Sequence, residues 1–163
     1  MKKIKIALVL ALGMIGVLSF STKSFAMDVY RAYNPCSGEH LYTPNFFEVS
    51  IVANAGWNYE GIAWKAPDTT KAGVIYRLYN PNAGDHFYTA DIAEKNHLIS
   101  VGWKDDHYTI PMASSKTGTP IYRFYNPNAK AGTHHYTPYE REKEDLARAG
   151  WKYEGIGFYA TAN

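Results

Sequence analysis

Between residues 28 and 160, short stretches of alternating apolar and polar positions give way to a three-to-four-residue rhythm, and this cycle runs three times. Residues 29–34, 75–80 and 121–126 carry the β-branched and aromatic alternation of a half-buried strand. Each is followed by Asn-Pro and a glycine, Asn34-Pro35 with Gly38 in the first copy, where proline presets φ and glycine admits φ > 0. The chain therefore reverses, and residues 40–43, 86–89 and 134–137 return as a second strand. A helical segment comes next. Asn45-x-x-Glu48, Asp91-x-x-Glu94 and Thr137-Pro138-Tyr139-Glu140 have the form of capping boxes, and Gly56, Gly102 and Gly150 stand at the helix ends. Val52, Leu98 and Leu146 are the positions expected to face the core.

The period is firm because several residue types keep it together. Tyr30, Tyr76 and Tyr122 are 46 residues apart, and Trp57, Trp103 and Trp151 are 46 and 48 apart, two extra residues entering at Lys130-Ala131. Two further short strands are expected to close each unit, as in residues 57–64 and 151–159. The second copy departs there, with Trp103-Lys104-Asp105-Asp106-His107-Tyr108-Thr109-Ile110 replacing the W-x-Y-E-G-I-x-aromatic pattern. That lobe is expected to differ in the shape of its last hairpin or to carry a site of its own. Four strands in each of three units predict a mostly β, three-repeat, β-trefoil-like domain with a short helix in each repeat; a three-bladed propeller and an open solenoid rank below it.

Residues 1–26 stand outside the repeat. Lys2, Lys3 and Lys5 precede an apolar run, then Ser24-Phe25-Ala26, which reads as a secretory signal cut after Ala26; the run is shorter than the ~20 residues a spanning helix needs. The expected organisation is a signal at 1–26 and one domain at 27–163, its repeats at about 28–66, 74–112 and 120–160. Without the signal the chain has 13 basic and 15 acidic residues, a net charge of −2 instead of the +2 of the whole. That balance gives no electrostatic reason for nucleic acid or an anionic membrane as partner. With Cys36 as its lone cysteine, the domain forms no internal disulfide, so 14 Tyr and four Trp must supply the packing.

The candidate chemistry lies on the hairpins. Glu39, His40 and Tyr42, with Asp85, His86 and Tyr88 and with His134 and Tyr136, place carboxylate, imidazole and phenol groups at matching positions. Such planar polar groups and aromatic faces suit sugar hydroxyls and C–H surfaces, and three weak sites on one body add avidity for a repeating polymer. Tyr30, Tyr33 and Trp57 with their equivalents are assigned to the scaffold, and Arg31, Arg77 and Arg123 to stacking or to pairing with Glu39 or Asp85. The asparagines are assigned to their own turns. No metal or cofactor is expected, since the adjacent His134 and His135 point to opposite strand faces and lack ligand spacing.

The strings YRLYNP, GDHFYT and AGWKYEGIGFY resemble the repeat of the bacterial 5648 family of domains of unknown function, and the resemblance covers the chain after residue 26. It implies a lectin-like module of the kind appended to secreted lysozyme-like, glycoside hydrolase or peptidase domains. The expectation is a secreted, non-catalytic, monomeric module that binds glycan or cell-wall polysaccharide. Two alternatives stand beside it: a small wall-active glycoside hydrolase using acids among Glu60, Glu154, Asp85, Asp105 and Asp106 with His107, and a protein-binding inhibitor or effector.

Overall fold

The computed structural model describes residues 26–162, so the signal reading lies outside the described residues except at Ala26. The first repeat contains β1 (Ala26–Tyr33), β2 (His40–Thr43), α1 (Phe46–Asn54) and β3 (Asn58–Pro67). The second contains β4 (Val74–Asn80), β5 (Asp85–Thr89), α2 (Ile92–Ser100) and β6 (Lys104–Pro111), and the third β7 (Thr119–Tyr125), β8 (His134–Thr137), α3 (Glu140–Arg148) and β9 (Lys152–Ala160). The protein is mostly β. Each repeat makes its own three-stranded antiparallel sheet with the first strand in the middle, in the orders β2-β1-β3, β5-β4-β6 and β8-β7-β9. The three hairpins form in the expected register, with Tyr33 opposite His40, Tyr79 opposite His86 and Tyr125 opposite His134.

The expected pair of closing strands is instead one long strand, giving nine strands among the described residues where twelve were anticipated. Its glycines make bulges and no reversal. Val29 pairs with Trp64 and Tyr30 with Ile62, leaving Ala63 over; Arg31 pairs with Gly61 and Ala32 with Tyr59, leaving Glu60 over. The third repeat likewise leaves out Gly157 and Glu154. In the second repeat the two extra residues sit together: Arg77 pairs with Tyr108 and Leu78 with Asp105, so Asp106 and His107 bulge side by side. Gly61 and Gly155 take φ of 90° and 100°, and His107 holds the same place at φ 53°. The second lobe thus differs in the shape of its closing segment. An extra residue in one strand bends the ladder and re-aims a side chain, and here that side chain is an acid.

The helices begin and end where the sequence places them, although their caps differ from expectation. Asn45 and Asp91 accept from the N–H groups of Phe47 and Ala93, but α3 has no side-chain cap bond, because the capping position is held by Tyr139. Thr137 lies two residues before it, accepting from the Tyr139 N–H at 3.0 Å as Thr43 and Thr89 do for Asn45 and Asp91. Gly56, Gly102 and Gly150 end the helices at positive φ, and Trp57, Trp103 and Trp151 then donate to the carbonyls of Val52, Leu98 and Leu146 at 3.0–3.1 Å. This is the Schellman arrangement. Val52, Leu98 and Leu146 are half-buried and do not reach the core; Val49 is the buried helical residue.

The centre belongs to Tyr42, Tyr88 and Tyr136, each at most 1 % exposed. Their rings meet edge to face at 5.4–5.7 Å, with Trp64 stacked on Tyr42 and Phe158 on Tyr136. Each ring removes roughly 200 Å² from water, about 5 kcal/mol gross at ~25 cal/mol per Å², provided its hydroxyl is satisfied. That condition is met by the edges of the sheets. β2, β5 and β8 are edge strands whose outward N–H and C=O groups would be orphaned in the core. The Tyr88 hydroxyl accepts from the Tyr42 N–H (2.8 Å) and donates to its carbonyl (3.0 Å), while the Tyr136 hydroxyl does the same for Tyr88 at 3.0 and 2.8 Å. The Tyr42 hydroxyl closes the circle by accepting from the Tyr136 N–H at 3.1 Å. These three tyrosines were expected among the ligand contacts. The structure removes them from that set, because no ligand reaches a group held inside the closed ring.

Candidate functional site

Each seam between lobes is built on an arginine held by two carboxylates from different elements. Arg31 lies 2.7 Å from Glu60, the acid squeezed out by its own sheet's bulge, and 3.0 Å from Glu142 on α3 of the third lobe. Arg77 meets Asp106 of its bulge and Glu48 of α1 (2.9 Å), and Arg123 meets Glu154 (2.9 Å) and Glu94 of α2 (2.9 Å). The pattern is cyclic, each helix reaching the arginine of the following lobe. The Nε contacts of Arg31 and Arg123 are close ion pairs without hydrogen-bond alignment. Arg77 also lies over the Tyr108 ring at 4.4 Å and Arg123 over Phe87 at 5.3 Å. The expected arginine stacking is therefore present at Arg77 and Arg123, but the expected pairing with Glu39 or Asp85 is replaced by the bulge and helix acids. Glu48 and Glu94, read from the sequence as capping partners, are spent on these bridges.

Beside every clamp stands an imidazole between a tyrosine and the bulge acid. Tyr33, Tyr79 and Tyr125 pack on His40, His86 and His134 with ring centroids 4.9, 5.1 and 5.3 Å apart. The same histidines lie 3.6 Å from Glu60, 3.9 Å from Asp106 and 3.3 Å from Glu154. Burial, reinforced by the nearby arginine charges, pushes His40 down to about 3 and His134 down to about 4, so both are neutral at physiological pH. Their side chains keep 13–20 % exposure. Three copies of a partly exposed phenol–imidazole–carboxylate edge thus repeat around the body, with the Nδ1 atoms of His86 and His134 bonded to Glu39 and to the Thr133 hydroxyl and that of His40 buried.

The remaining predicted residues have other tasks. Glu39 is 3 % exposed and accepts from the His86 N–H at 3.1 Å and from its ring; Asp85 is 2 % exposed and accepts from the Thr133 N–H (3.1 Å) and hydroxyl (2.8 Å). Both tie one lobe to the next and are closed to ligand, which corrects their assignment as contacts. Asn34, Asn80 and Asn126 bond their own turns, as expected. Asp105 pairs with Lys95 at 2.6 Å and Asp106 with Arg77, while the His107 side chain points outward at 87 % exposure. Glu142 and His135 are the seam residues that sequence reasoning missed: His135 lies 3.3 Å from both Glu142 and Arg31, where the other hairpins carry Leu41 and Phe87. The spacing of Glu48, Glu94 and Glu142, 46 and 48 residues, was the available signal. Among the described residues no cluster of three or more His, Cys, Asp or Glu is arranged to hold a metal, and no helix is long and apolar enough to cross a membrane.

Comparison with curated proteins finds no match, and comparison with solved structures finds none either. The family model described as Domain of unknown function (DUF5648) matches residues 28–161, a span that begins within β1 and ends just past β9. All three aromatic hairpins, clamps and helices lie within it, and the chain belongs to that family.

Proposed function

We propose that this protein is a secreted, non-catalytic module that binds glycan, with cell-wall polysaccharide as the favoured ligand, and that its threefold body is trefoil-like. The observation that carries the reading is the repeated edge Tyr33–His40–Glu60, Tyr79–His86–Asp106 and Tyr125–His134–Glu154. Imidazole, carboxylate and phenol are a hydroxyl-binding set, and three copies on one rigid scaffold favour a polymer with a repeating unit. The tyrosine circle supports the closed threefold arrangement. Its three separate sheets are a feature shared with a three-bladed body. Secretion rests on the charge and hydropathy of residues 1–26.

The non-catalytic part of the proposal rests on where the acids are spent. Glu48, Glu60, Glu94, Asp106, Glu142 and Glu154 are each committed to an arginine, and repetition spreads them over three seams instead of gathering a pair across one cleft. Glycoside hydrolysis needs two carboxyl groups facing one bond. Incubation with isolated cell walls, with soluble products monitored, tests the reading. Retention without released sugar is expected; released sugar abolished by acid substitutions supports the hydrolase, and no retention rejects the module.

A further inference from the structure

The first helix departs from the other two in what it shows to solvent. α1 carries Phe46, Phe47 and Ile51 where α2 has Ile92, Ala93 and His97 and α3 has Glu140, Arg141 and Asp145. Phe46 is 54 %, Phe47 72 % and Ile51 54 % exposed, and Phe46 meets Tyr59 of β3, itself 47 % exposed, edge to face at 5.9 Å. Between α1 and the second lobe lies an open hollow of about 500 Å³, walled by Phe47, Ile51, Val52 and Tyr108 with the Glu48–Arg77 pair beside them. The matching hollow on α3, about 380 Å³, is walled by Arg141 and Asp145.

The repeat acts as an internal control. The same helix, with the same glutamate reaching the next lobe's arginine, forms with Ala93 and His97 or with Arg141 and Asp145 at these outer positions. Folding therefore does not call for Phe47 and Ile51 to be apolar, and a contiguous exposed apolar patch marks an interaction surface. At roughly 200 Å² for a whole large side chain, the exposed parts of Phe46, Phe47, Ile51 and Tyr59 amount to about 450 Å². That is the apolar share, about 57 %, of the ~800 Å² each partner brings to a standard interface. A sugar finds little to bond in the hollow, because its walls are aliphatic and aromatic and its charged groups are spent on each other and on Asp106. Shape selects the partner: a twofold interface uses one patch on both subunits, so a projecting group and the recess that takes it must lie side by side. Phe47 is the most exposed of the four and is itself part of the wall of the hollow. A twofold axis beside it lays each ring into the hollow of the other copy. With 13 basic and 15 acidic residues in 27–163, two copies meet with little net repulsion.

We propose that the α1 face seats a second copy of this chain in a twofold dimer, with Phe47 of each copy in the hollow between α1 and Tyr108 of the other. This goes beyond the glycan-binding reading and replaces the monomer expected from the sequence. A dimer brings the edges of two bodies to one polymer, which raises avidity.

The test is sedimentation of the protein over a range of concentration. A monomer–dimer equilibrium with a dissociation constant at or below ~100 µM is expected, since standard-size interfaces bind at micromolar strength or tighter. Phe47→Arg with Ile51→Asp installs the pair that α3 already carries, and is expected to weaken dimerisation at least about 30-fold with an unchanged melting temperature. Phe47→Ala, which copies α2, is expected to cost about 30-fold as well and carries the test should the double variant fail to fold. Arg141→Ala, on the matching hollow of α3, is expected to leave the equilibrium unchanged. A monomer up to ~100 µM overturns the proposal, as does a dimer that Phe47→Ala leaves intact or that Arg141→Ala weakens equally. If the protein is a monomer and Phe47→Ala loses retention on cell walls, the face belongs to glycan and not to a second copy. Retention that Phe47→Ala leaves unchanged keeps the glycan reading standing whichever way the dimer falls.

Discussion

The hydroxyl of Tyr88 spans two lobes, accepting the backbone N–H of Tyr42 and donating to the carbonyl of the same residue. One side chain thereby satisfies the sheet edge of its neighbour. Tyr88→Phe retains the ring and removes the hydroxyl, leaving a donor and an acceptor buried without partners. A loss on the order of 3 kcal/mol is expected by chemical denaturation. A change below about 0.5 kcal/mol would mean the edge is satisfied in some other way.

The clamp at the first seam gives a second prediction. Arg77 is 7 % exposed and holds Glu48 and Asp106 together, so Arg77→Met leaves two carboxylates facing each other without a counter-charge. Breaking such a buried pair from one side costs about 3 kcal/mol or more. Adding Glu48→Gln and Asp106→Asn to that variant is expected to restore part of the loss, since the repulsion goes with the charges. Failure of the triple variant to recover relative to Arg77→Met would show that guanidinium packing on Tyr108, and not charge, is what the clamp contributes.

Acid sensitivity follows from the sign of the shifts. His40 and His134 are lowered by burial to about 3 and about 4 from 6.5, so the unfolded chain takes up protons that the folded one refuses. Stability from this source is present above pH 6.5 and falls as the pH drops toward 4 for His134 and toward 3 for His40. Burial opposes the charged form of Glu142, yet the His135 hydrogen bond and the Arg31 charge hold its carboxyl at about 2, below the usual 4.5. Its contribution is present above 4.5 and lost as the pH falls toward 2. Melting temperature is therefore expected to decline in two stages on acidification, and His40→Gln with His134→Gln should flatten the upper stage only. A single step beginning below pH 4.5 would contradict the assignment of the histidines.

His107 tests the reading of the bulge. It occupies at φ 53° a position that Gly61 and Gly155 hold in the other lobes. The left-handed region costs a side chain about 1 kcal/mol, partly offset by the greater unfolded-chain entropy of glycine. His107→Gly is expected to raise stability by about 0.5 kcal/mol, and Gly155→Ala to lower it by about 1 kcal/mol, in paired thermal melts. The reverse order would mean that His107 is placed by contacts of its own.

The period of 46 and 48 residues, the Asn-Pro hairpins and the glycine-ended helices were legible in the sequence because each rests on local chemistry. The inversion at the hairpin was not. Tyr30, Tyr33 and Trp57 were assigned to the scaffold and Tyr42 to ligand, yet Tyr42 is at the centre while the other three are half-buried. Period-two alternation fails for β2, whose Leu41, Tyr42 and Thr43 are all buried, because lobes press on both of its faces. The carboxylate roles were hidden for a related reason: bulges decide where Glu60, Asp106 and Glu154 point, and an intact W-x-Y-E-G pattern reads equally well as a turn. His86 shows the consequence for the site, since its bond to buried Glu39 makes it part of the seam as well as of an edge.

That double role determines which histidines test the glycan reading. Co-sedimentation of the wild-type protein and a His40→Gln, His134→Gln variant with isolated cell walls, each checked for an unchanged fold at neutral pH, measures the edges directly. The account predicts retention of the wild type and at least about tenfold weaker retention of the variant, from two lost hydrogen-bonding edges acting together. Equal retention of a folded variant would contradict it.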